Sequence, residues 1–334
     1  MTVPFLVLGV LGLSVVLVQA EPRAAPVYML SEISTGFGIP SGIAEDGPNL
    51  LLTDLRTGRV VRRAPDGGLQ DLMPPRPTGI DVLGQPTGPY KVAIHAGRVY
   101  VTQGWPDSSR DARPGDHAFL EASPDATISP LVKADGFWNP YDFTWSERGW
   151  LIVDSGKNAL MRLAPDGALA TVLEFPRIKH AAEQMQSLSP TEFSGKAQPY
   201  EVDAVPTGIA VHGDRVYIAL LGGFPFVAKG GAVVSLALNG TEKTARPEVT
   251  GLDAPVALAF APDSRLLILE LGQFDFPSGH FVTGGGRLLA VDAKGKGRET
   301  LASGLDQPSG LLARANGEIL ITCLSGHVYR LVKR

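Results

Sequence analysis

The 334-residue chain has very little cysteine and comparatively little charge. Its single cysteine, Cys323, excludes an intrachain disulfide framework and a zinc site built on paired thiolates. Charged residues make up 19% of the chain, below the roughly 25% of an average domain, and the net charge is −4. No basic run is longer than the pair Lys333-Arg334, so a nucleic acid is not expected as a partner.

Long apolar runs are also scarce, and the one that exists begins the chain. Residues 3–18 are nearly all apolar, but a membrane span needs about 20 such residues. The run ends in Val18-Gln19-Ala20, whose small last residue fits a signal-peptidase site. We therefore predict a secretory signal over residues 1–20 and a periplasmic or secreted mature chain without a membrane span. Since no Lys or Arg precedes the run, an uncleaved anchor or a misplaced start codon is the alternative.

Turn-forming and apolar residues, by contrast, are abundant. The chain is 44% hydrophobic and contains 39 glycines and 27 prolines. This composition excludes a disordered polymer, and the length suits two domains or one large repetitive domain.

A six-fold internal repeat is the strongest signal in the sequence. Similar segments, most of them variants of Pro-x-Gly-Ile-Ala, place a leading proline at positions 40, 89, 140, 206, 255 and 308. Each proline opens a short apolar run, which a turn separates from a second apolar run ending 14 or 15 residues after the proline. Third and fourth strand-like runs follow in most units.

Four short antiparallel strands in each unit of about 50 residues are typical of a propeller blade. We therefore predict an all-β fold over residues 21–334, a six-bladed β-propeller of four-stranded antiparallel blades. The last unit has room for only three strands, so residues 27–34 are expected to supply its fourth strand and close the ring. No feature of the sequence indicates an oligomer, and a monomer is expected.

The long insertions all fall in loops that a propeller places on one face, which we call the top face. They occupy residues 104–116, 176–204, 222–230 and 273–285. Insertions concentrated on one face commonly mark the binding face of a repeat protein, so we place the functional surface at the top of the central channel.

The residues that end the second strands are expected to ring the mouth of that channel. Asp54, Asp154 and Glu270 are carboxylates, and Gln103 adds an amide oxygen. Such a set can hold a divalent cation such as Ca²⁺, which prefers oxygen ligands. The alternative is that each carboxylate caps the turn that follows it. The sequence leaves both interpretations open, and no cofactor is required by it.

Aromatic residues are concentrated in the top-face loops. Together with the polar neighbours of the third leading proline, they give these candidate ligand-binding residues: Trp105, Asn139, Tyr141, Asp142, Phe224, Phe226, Phe274 and Phe276. They can grip a flat apolar ligand, or they can pack the loops against one another.

Several motifs resemble the ScyD/ScyE family of exported propeller proteins. These are Asn-Pro-Tyr-Asp at 139–142, the stretch from Asp154 to the Pro-Asp-Gly turn at 165–167, Val-Pro-Thr-Gly-Ile-Ala-Val at 205–211, and Gly-Gly-Phe-Pro-Phe at 222–226. The Pro-x-Gly-Ile-Ala and Pro-Asp-Gly elements are shared with NHL-repeat and gluconolactonase-like propellers. The resemblance implies a secreted or periplasmic propeller, in some cyanobacteria encoded with enzymes that make the indolic pigment scytonemin. An acidic residue usually precedes the Gly-Phe-Pro-Phe stretch in that family, whereas this chain has Ala219-Leu220-Leu221.

Two functions follow from these features. The first is a non-catalytic propeller whose top face binds an apolar small molecule or a partner protein. The second is a metal-assisted hydrolase or lyase like the gluconolactonase-like propellers, in which Asp54, Asp154 and Glu270 hold a cation that activates water. The fold alone does not choose between them, because propellers include both binders and enzymes.

Overall fold

A computed structural model of the chain describes the following residues: 28–33, 36–81, 84–104, 116–123, 125–132, 136–189, 199–292, 295 and 297–333. The predicted signal sequence over residues 1–20 and the candidate ligand residue Trp105 lie outside them. Within those ranges, no helix has the length and apolar character needed to cross a bilayer.

The chain is built almost entirely of short strands, numbered here in chain order. The first half contains β1 (Tyr28–Glu32), β2 (Pro40–Asp46), β3 (Asn49–Asp54), β4 (Val60–Arg63), β5 (Leu69–Asp71), β6 (Gly79–Ile80), β7 (Pro86–Thr87), β8 (Pro89–His95), β9 (Arg98–Gln103), β10 (Ala118–Ala122), β11 (Ile128–Pro130), β12 (Pro140–Ser146), β13 (Gly149–Asp154), β14 (Ala159–Leu163) and β15 (Leu169–Glu174). The second half contains β16 (Ile178–His180), helix α1 (Ala182–Leu188), β17 (Tyr200–Val202), β18 (Pro206–His212), β19 (Arg215–Leu220), β20 (Gly231–Ala237), β21 (Arg246–Leu252), β22 (Pro255–Phe260), β23 (Leu266–Glu270), β24 (Phe274–Asp275), β25 (His280–Phe281), β26 (Gly286–Val291), β27 (Glu299–Leu305), β28 (Pro308–Ala313), β29 (Ile319–Cys323) and β30 (Val328–Lys333).

These strands form six four-stranded antiparallel sheets, so the predicted six-bladed β-propeller is confirmed. The innermost strands β2, β8, β12, β18, β22 and β28 contact one another in a closed ring. In the sixth blade, β1 pairs with β30 from Tyr28 opposite Lys333 to Glu32 opposite Tyr329. The N-terminal strand therefore closes the ring, as the incomplete last repeat predicted.

The leading prolines mark the same structural position in every blade. Each begins an innermost strand and pairs with the last residue of the second strand, and a register shift follows it. In three blades, the residue two positions later is a glycine that close packing between blades requires. A Cβ on Gly208 would lie 2.7 Å from the Cα of Ala257 in the next blade, and one on Gly310 would lie 2.3 Å from the backbone oxygen of Ser41. The Pro-x-Gly motif therefore marks the position at which neighbouring inner strands make close contact.

The hydrophobic core lies between adjacent blades. Leu151 and Val153 of the third blade, for example, pack with Ile218 and Leu236 of the fourth. Every residue of β13 is buried, because both faces of this strand are covered. This explains why the second strands read as continuous apolar runs rather than as alternating patterns.

The insertions on the top face add small elements that the repeat did not predict. The pairs β6–β7, β16–β17 and β24–β25 are separate two-stranded hairpins, and α1 is a helix within the insertion before the fourth blade. At seven residues, α1 is too short to show a helical period in the sequence.

Buried carboxylates fasten the loops before two leading prolines. Asp154 accepts backbone hydrogen bonds from Trp138 (2.8 Å), Asn139 (2.8 Å) and Lys157 (3.0 Å). In the first blade, Asp54 accepts backbone hydrogen bonds from Ile39 and Arg56 in the same way. Each carboxylate therefore ties the loop that enters its blade to the end of the second strand.

We predict that Asp154→Ala destabilises the protein by about 3 kcal/mol, since three backbone N–H groups lose a fully buried acceptor. The matched control is Asp166→Ala in the same blade, which removes one exposed hydrogen bond to Ala168 and should cost less than about 1 kcal/mol. Urea unfolding of the two variants measures the difference. Equal losses would contradict the role given to Asp154.

Candidate functional site

A cavity of about 250 Å³ opens at the top of the central channel. Its walls include the residue that follows each of the six leading prolines: Ser41, Tyr90, Tyr141, Thr207, Val256 and Ser309. Because these residues occupy one position of the repeat, the six-fold arrangement brings them together from all blades.

A second ring of wall residues follows the second strands. Five of the six residues directly after those strands line the cavity: Leu55, Ser155, Leu221, Leu271 and Leu324. The cavity therefore has a mainly apolar middle section, and its polar groups come from a few positions in the inner strands and loops.

Five phenylalanines from the insertions of the fourth and fifth blades form one side of the opening. This phenylalanine cluster consists of Phe224, Phe226, Phe274, Phe276 and Phe281. Ring centroids lie 5.1 Å apart for Phe226 and Phe274, and 5.7 Å apart for Phe224 and Phe276. Phe224 and Phe226 line the cavity, whereas Phe274 and Phe276 support them. Phe224 is 41% exposed at the opening.

The candidates next to the third leading proline belong to the blade that neighbours the fourth. Asn139 and Tyr141 both line the cavity, and the ring of Tyr141 packs against that of Tyr90 at 4.9 Å. Within the part of the chain that the structure describes, two buried polar atoms of the wall have no hydrogen-bond partner: Oγ of Ser41 and Oδ1 of Asn139. Such atoms are unusual in a folded protein, and either water or a bound molecule can supply the partner.

Asp142 lies one residue deeper than Tyr141, at the position where three other blades have glycine. Its Oδ1 accepts a hydrogen bond from the backbone N–H of Phe143 at 2.8 Å, and Ile209 of the next blade donates another. Burial raises the pKa of Asp142 to about 6, and the nearby ammonium of Lys91 opposes this shift. Lys91 occupies the equivalent position of the second blade, so the two interacting charges come from adjacent inner strands.

The four candidate metal ligands lie behind the cavity wall. The oxygens of Asp54 and Asp154 accept the backbone hydrogen bonds described above, and Glu270 accepts one from Asp253 (2.7 Å) and one from Arg287. Gln103 donates to the backbone oxygen of Pro77 at 3.0 Å. No group of three or more His, Cys, Asp or Glu side chains is placed to hold a metal ion among the residues of the described ranges. The capping interpretation matches the observed contacts, and a metal at these residues stays a prediction.

Sequence reasoning missed Ser41, Tyr90, Lys91 and Ser309. The signal that could have found them is the repeat itself. Aligning the positions one and two residues after each leading proline shows which side chains meet at the axis, and Lys91 and Asp142 stand out there among glycine and alanine.

We predict that Asp142→Asn stabilises the protein more at pH 8 than at pH 5. An aspartate has a pKa near 3.9 when unfolded, so a folded pKa of about 6 means that ionisation opposes folding. This cost is absent below about pH 4 and complete above about pH 7, where it reaches at most about 3 kcal/mol. Melting temperatures of both proteins across this range provide the test. A stabilisation that shrinks as the pH rises would contradict the prediction.

The chain is similar to known proteins in its fold and not in its sequence. No protein-family profile and no curated protein matches the chain in sequence. Among solved structures, it is similar to a gluconolactonase from Xanthomonas campestris, with a TM-score of 0.62, 15% identity, and coverage of 91% of this chain and 89% of that one. It is also similar to virginiamycin B lyase from Staphylococcus aureus, with a TM-score of 0.56, 12% identity, and coverage of 91% and 99%. A chain of the nidogen/laminin complex gives a TM-score of 0.52 at 13% identity, with coverage of 82% and 85%. At these identities, the likeness shows that the chain has the six-bladed propeller fold of the gluconolactonase and the lyase.

Proposed function

We propose that the cavity at the top of the channel binds a small molecule with a flat, mainly apolar body. The observation that carries this proposal is the cavity itself, with the phenylalanine cluster at its opening and two unpartnered polar atoms in its wall. Ligand sites typically combine apolar walls with a few polar groups that fix orientation.

The exposure of Phe224 supports this assignment. The ring of Phe224 is 41% exposed at the opening, so an apolar ligand that covers it would gain binding free energy from the burial of apolar surface. Ligand binding there needs no rearrangement of the core, because Phe274 and Phe276 already pack against Phe224.

We further propose that the protein is an exported ScyD/ScyE-like propeller. The support is the group of motifs at 139–142, 154–167, 205–211 and 222–226, together with the apolar N-terminal run. Two of these motifs supply cavity residues, since Asn139 and Tyr141 come from the first and Phe224 and Phe226 from the last. A protein partner at the top face and a monomeric state are part of the same proposal.

A metal-assisted hydrolase or lyase is the second candidate, favoured by the likeness in fold to a gluconolactonase and to virginiamycin B lyase. A cation held by Asp54, Gln103, Asp154 and Glu270 would have to replace hydrogen bonds that these side chains now make. The binding proposal expects the same melting temperature in Ca²⁺ and in EDTA, whereas a resident cation that is lost to EDTA raises the value in Ca²⁺. A Ca²⁺-dependent increase that disappears in Asp154→Asn would favour the hydrolase or lyase.

We predict that naphthalene-2-carboxamide, a neutral flat probe, binds the protein and that Phe224→Ala weakens its affinity by about fivefold or more, because apolar contact area is lost. Isothermal titration calorimetry measures both affinities. The control is Trp145→Ala, which removes a partly exposed aromatic ring near the opposite end of the same strand that carries Tyr141. It should leave the affinity unchanged. Absence of binding, or equal loss in both variants, would contradict the proposed site.

A further inference from the structure

We propose that the ligand of this cavity carries a carboxylate, which the ammonium of Lys91 and the hydroxyl of Ser41 receive. This inference rests on the proposed function and deepens it by naming the chemical class of the ligand: an apolar body with one terminal carboxylate.

The ammonium of Lys91 lies close to two wall residues that belong to other blades. Lys91 starts from the second blade, yet its Nζ donates a hydrogen bond to the backbone oxygen of Ser309 in the sixth blade. The same nitrogen lies 5.2 Å from the ring centroid of Tyr141 in the third blade. Ser309 and Tyr141 both line the cavity, and Lys91 is buried in contact with them.

Among the described residues, the ammonium of Lys91 makes one hydrogen bond. A lysine ammonium carries three N–H groups, and the hydrogen bond to Ser309 uses one of them. Lys91 is only 6% exposed, and a buried charge is costly unless it is paired. Burial lowers the pKa of Lys91, and the charge of Asp142 counteracts this effect. A carboxylate of a ligand could therefore accept a hydrogen bond from an N–H group of the Lys91 ammonium that Ser309 does not use.

Ser41 supplies the independent observation that points to a ligand. Its side chain is 1% exposed and lines the cavity, and its Oγ has no hydrogen-bond partner within the described ranges. The neighbouring hydroxyl of Ser309 differs, because it contacts the backbone oxygens of Pro40 and Thr322 at 3.2 Å. A carboxylate between Lys91 and Ser41 accepts from both, and charge-assisted hydrogen bonds of this kind are the strong ones.

The remaining charges indicate where the carboxylate lies. Asp81 also lines the cavity, and its Oδ1 accepts a hydrogen bond from the backbone N–H of Gln85 at 2.9 Å. Its charge acts on the hydroxyl of Tyr90, on the second-blade side. The carboxylate is therefore expected next to Ser41 and Ser309, with the apolar body extending toward Phe224 and Phe226.

The test compares three probes with the same ring system: naphthalene-2-carboxylate, naphthalene-2-carboxamide and the cation of naphthalen-2-ylmethanamine. Calorimetry on the full chain at neutral pH should show the carboxylate bound about tenfold tighter than the carboxamide, and the cation bound more weakly than either. Lys91→Met should remove the preference for the carboxylate over the carboxamide.

Asp142→Asn is the second variant and does not depend on the folding of Lys91→Met. Because it removes the anion that competes for Lys91, it should increase the preference for the carboxylate by about threefold or more. An unchanged or reduced preference in this variant would overturn the inference.

The outcomes separate this inference from the proposed function. Equal affinity of the wild-type protein for carboxylate and carboxamide would overturn the role of Lys91 while leaving the apolar site intact. Binding of none of the three probes would contradict the proposed function itself. A carboxylate preference that persists in Lys91→Met would place the anion elsewhere and overturn the inference.

Discussion

The structure depends on the close approach of six inner strands around one axis. Where neighbouring strands meet in three of the blades, backbone atoms leave no room for a side chain at Gly42, Gly208 and Gly310. The other three blades carry Lys91, Asp142 and Ala257 at this position, so the six inner strands share one register but do not all leave the same space. This constraint explains why the repeat is most regular around its leading prolines and less regular in the outer strands and loops.

The same constraint creates the candidate site. Once the inner strands are in register, the residue after each proline lines a common cavity, and the residue after that faces the axis or the next blade. Two adjacent blades place charged side chains at the second of these positions. Lys91 contacts Ser309 of the sixth blade, and Asp142 of the neighbouring strand interacts with its charge. The proposed ligand, an apolar molecule with one anionic end, would compete with Asp142 for this ammonium.

The sequence predicted the architecture because the repeat is local and periodic. Six prolines in register, with paired runs behind them, were enough to give the blade number, the strand-end carboxylates and the closing role of the N-terminal strand. Asn139, Tyr141, Phe224 and Phe226 were found because loops on one face of a ring must converge. The contact of Lys91 with Ser309 was not, because it joins residues 218 positions apart and depends on how far a long side chain reaches. Helix α1 was missed for another reason, since it belongs to an insertion outside the repeat.

The central claim is that one cavity at the channel mouth holds an apolar body at the phenylalanine cluster and a carboxylate at Lys91. A crystal structure of the protein grown with 6-bromonaphthalene-2-carboxylate tests it most directly, because the anomalous signal of bromine locates the ring end independently of the rest of the ligand. We expect bromine beside Phe224 and Phe226 and a carboxylate within hydrogen-bond distance of the Lys91 ammonium. Bromine bound elsewhere on the protein, or in the cavity with the carboxylate turned out toward solvent, would contradict it.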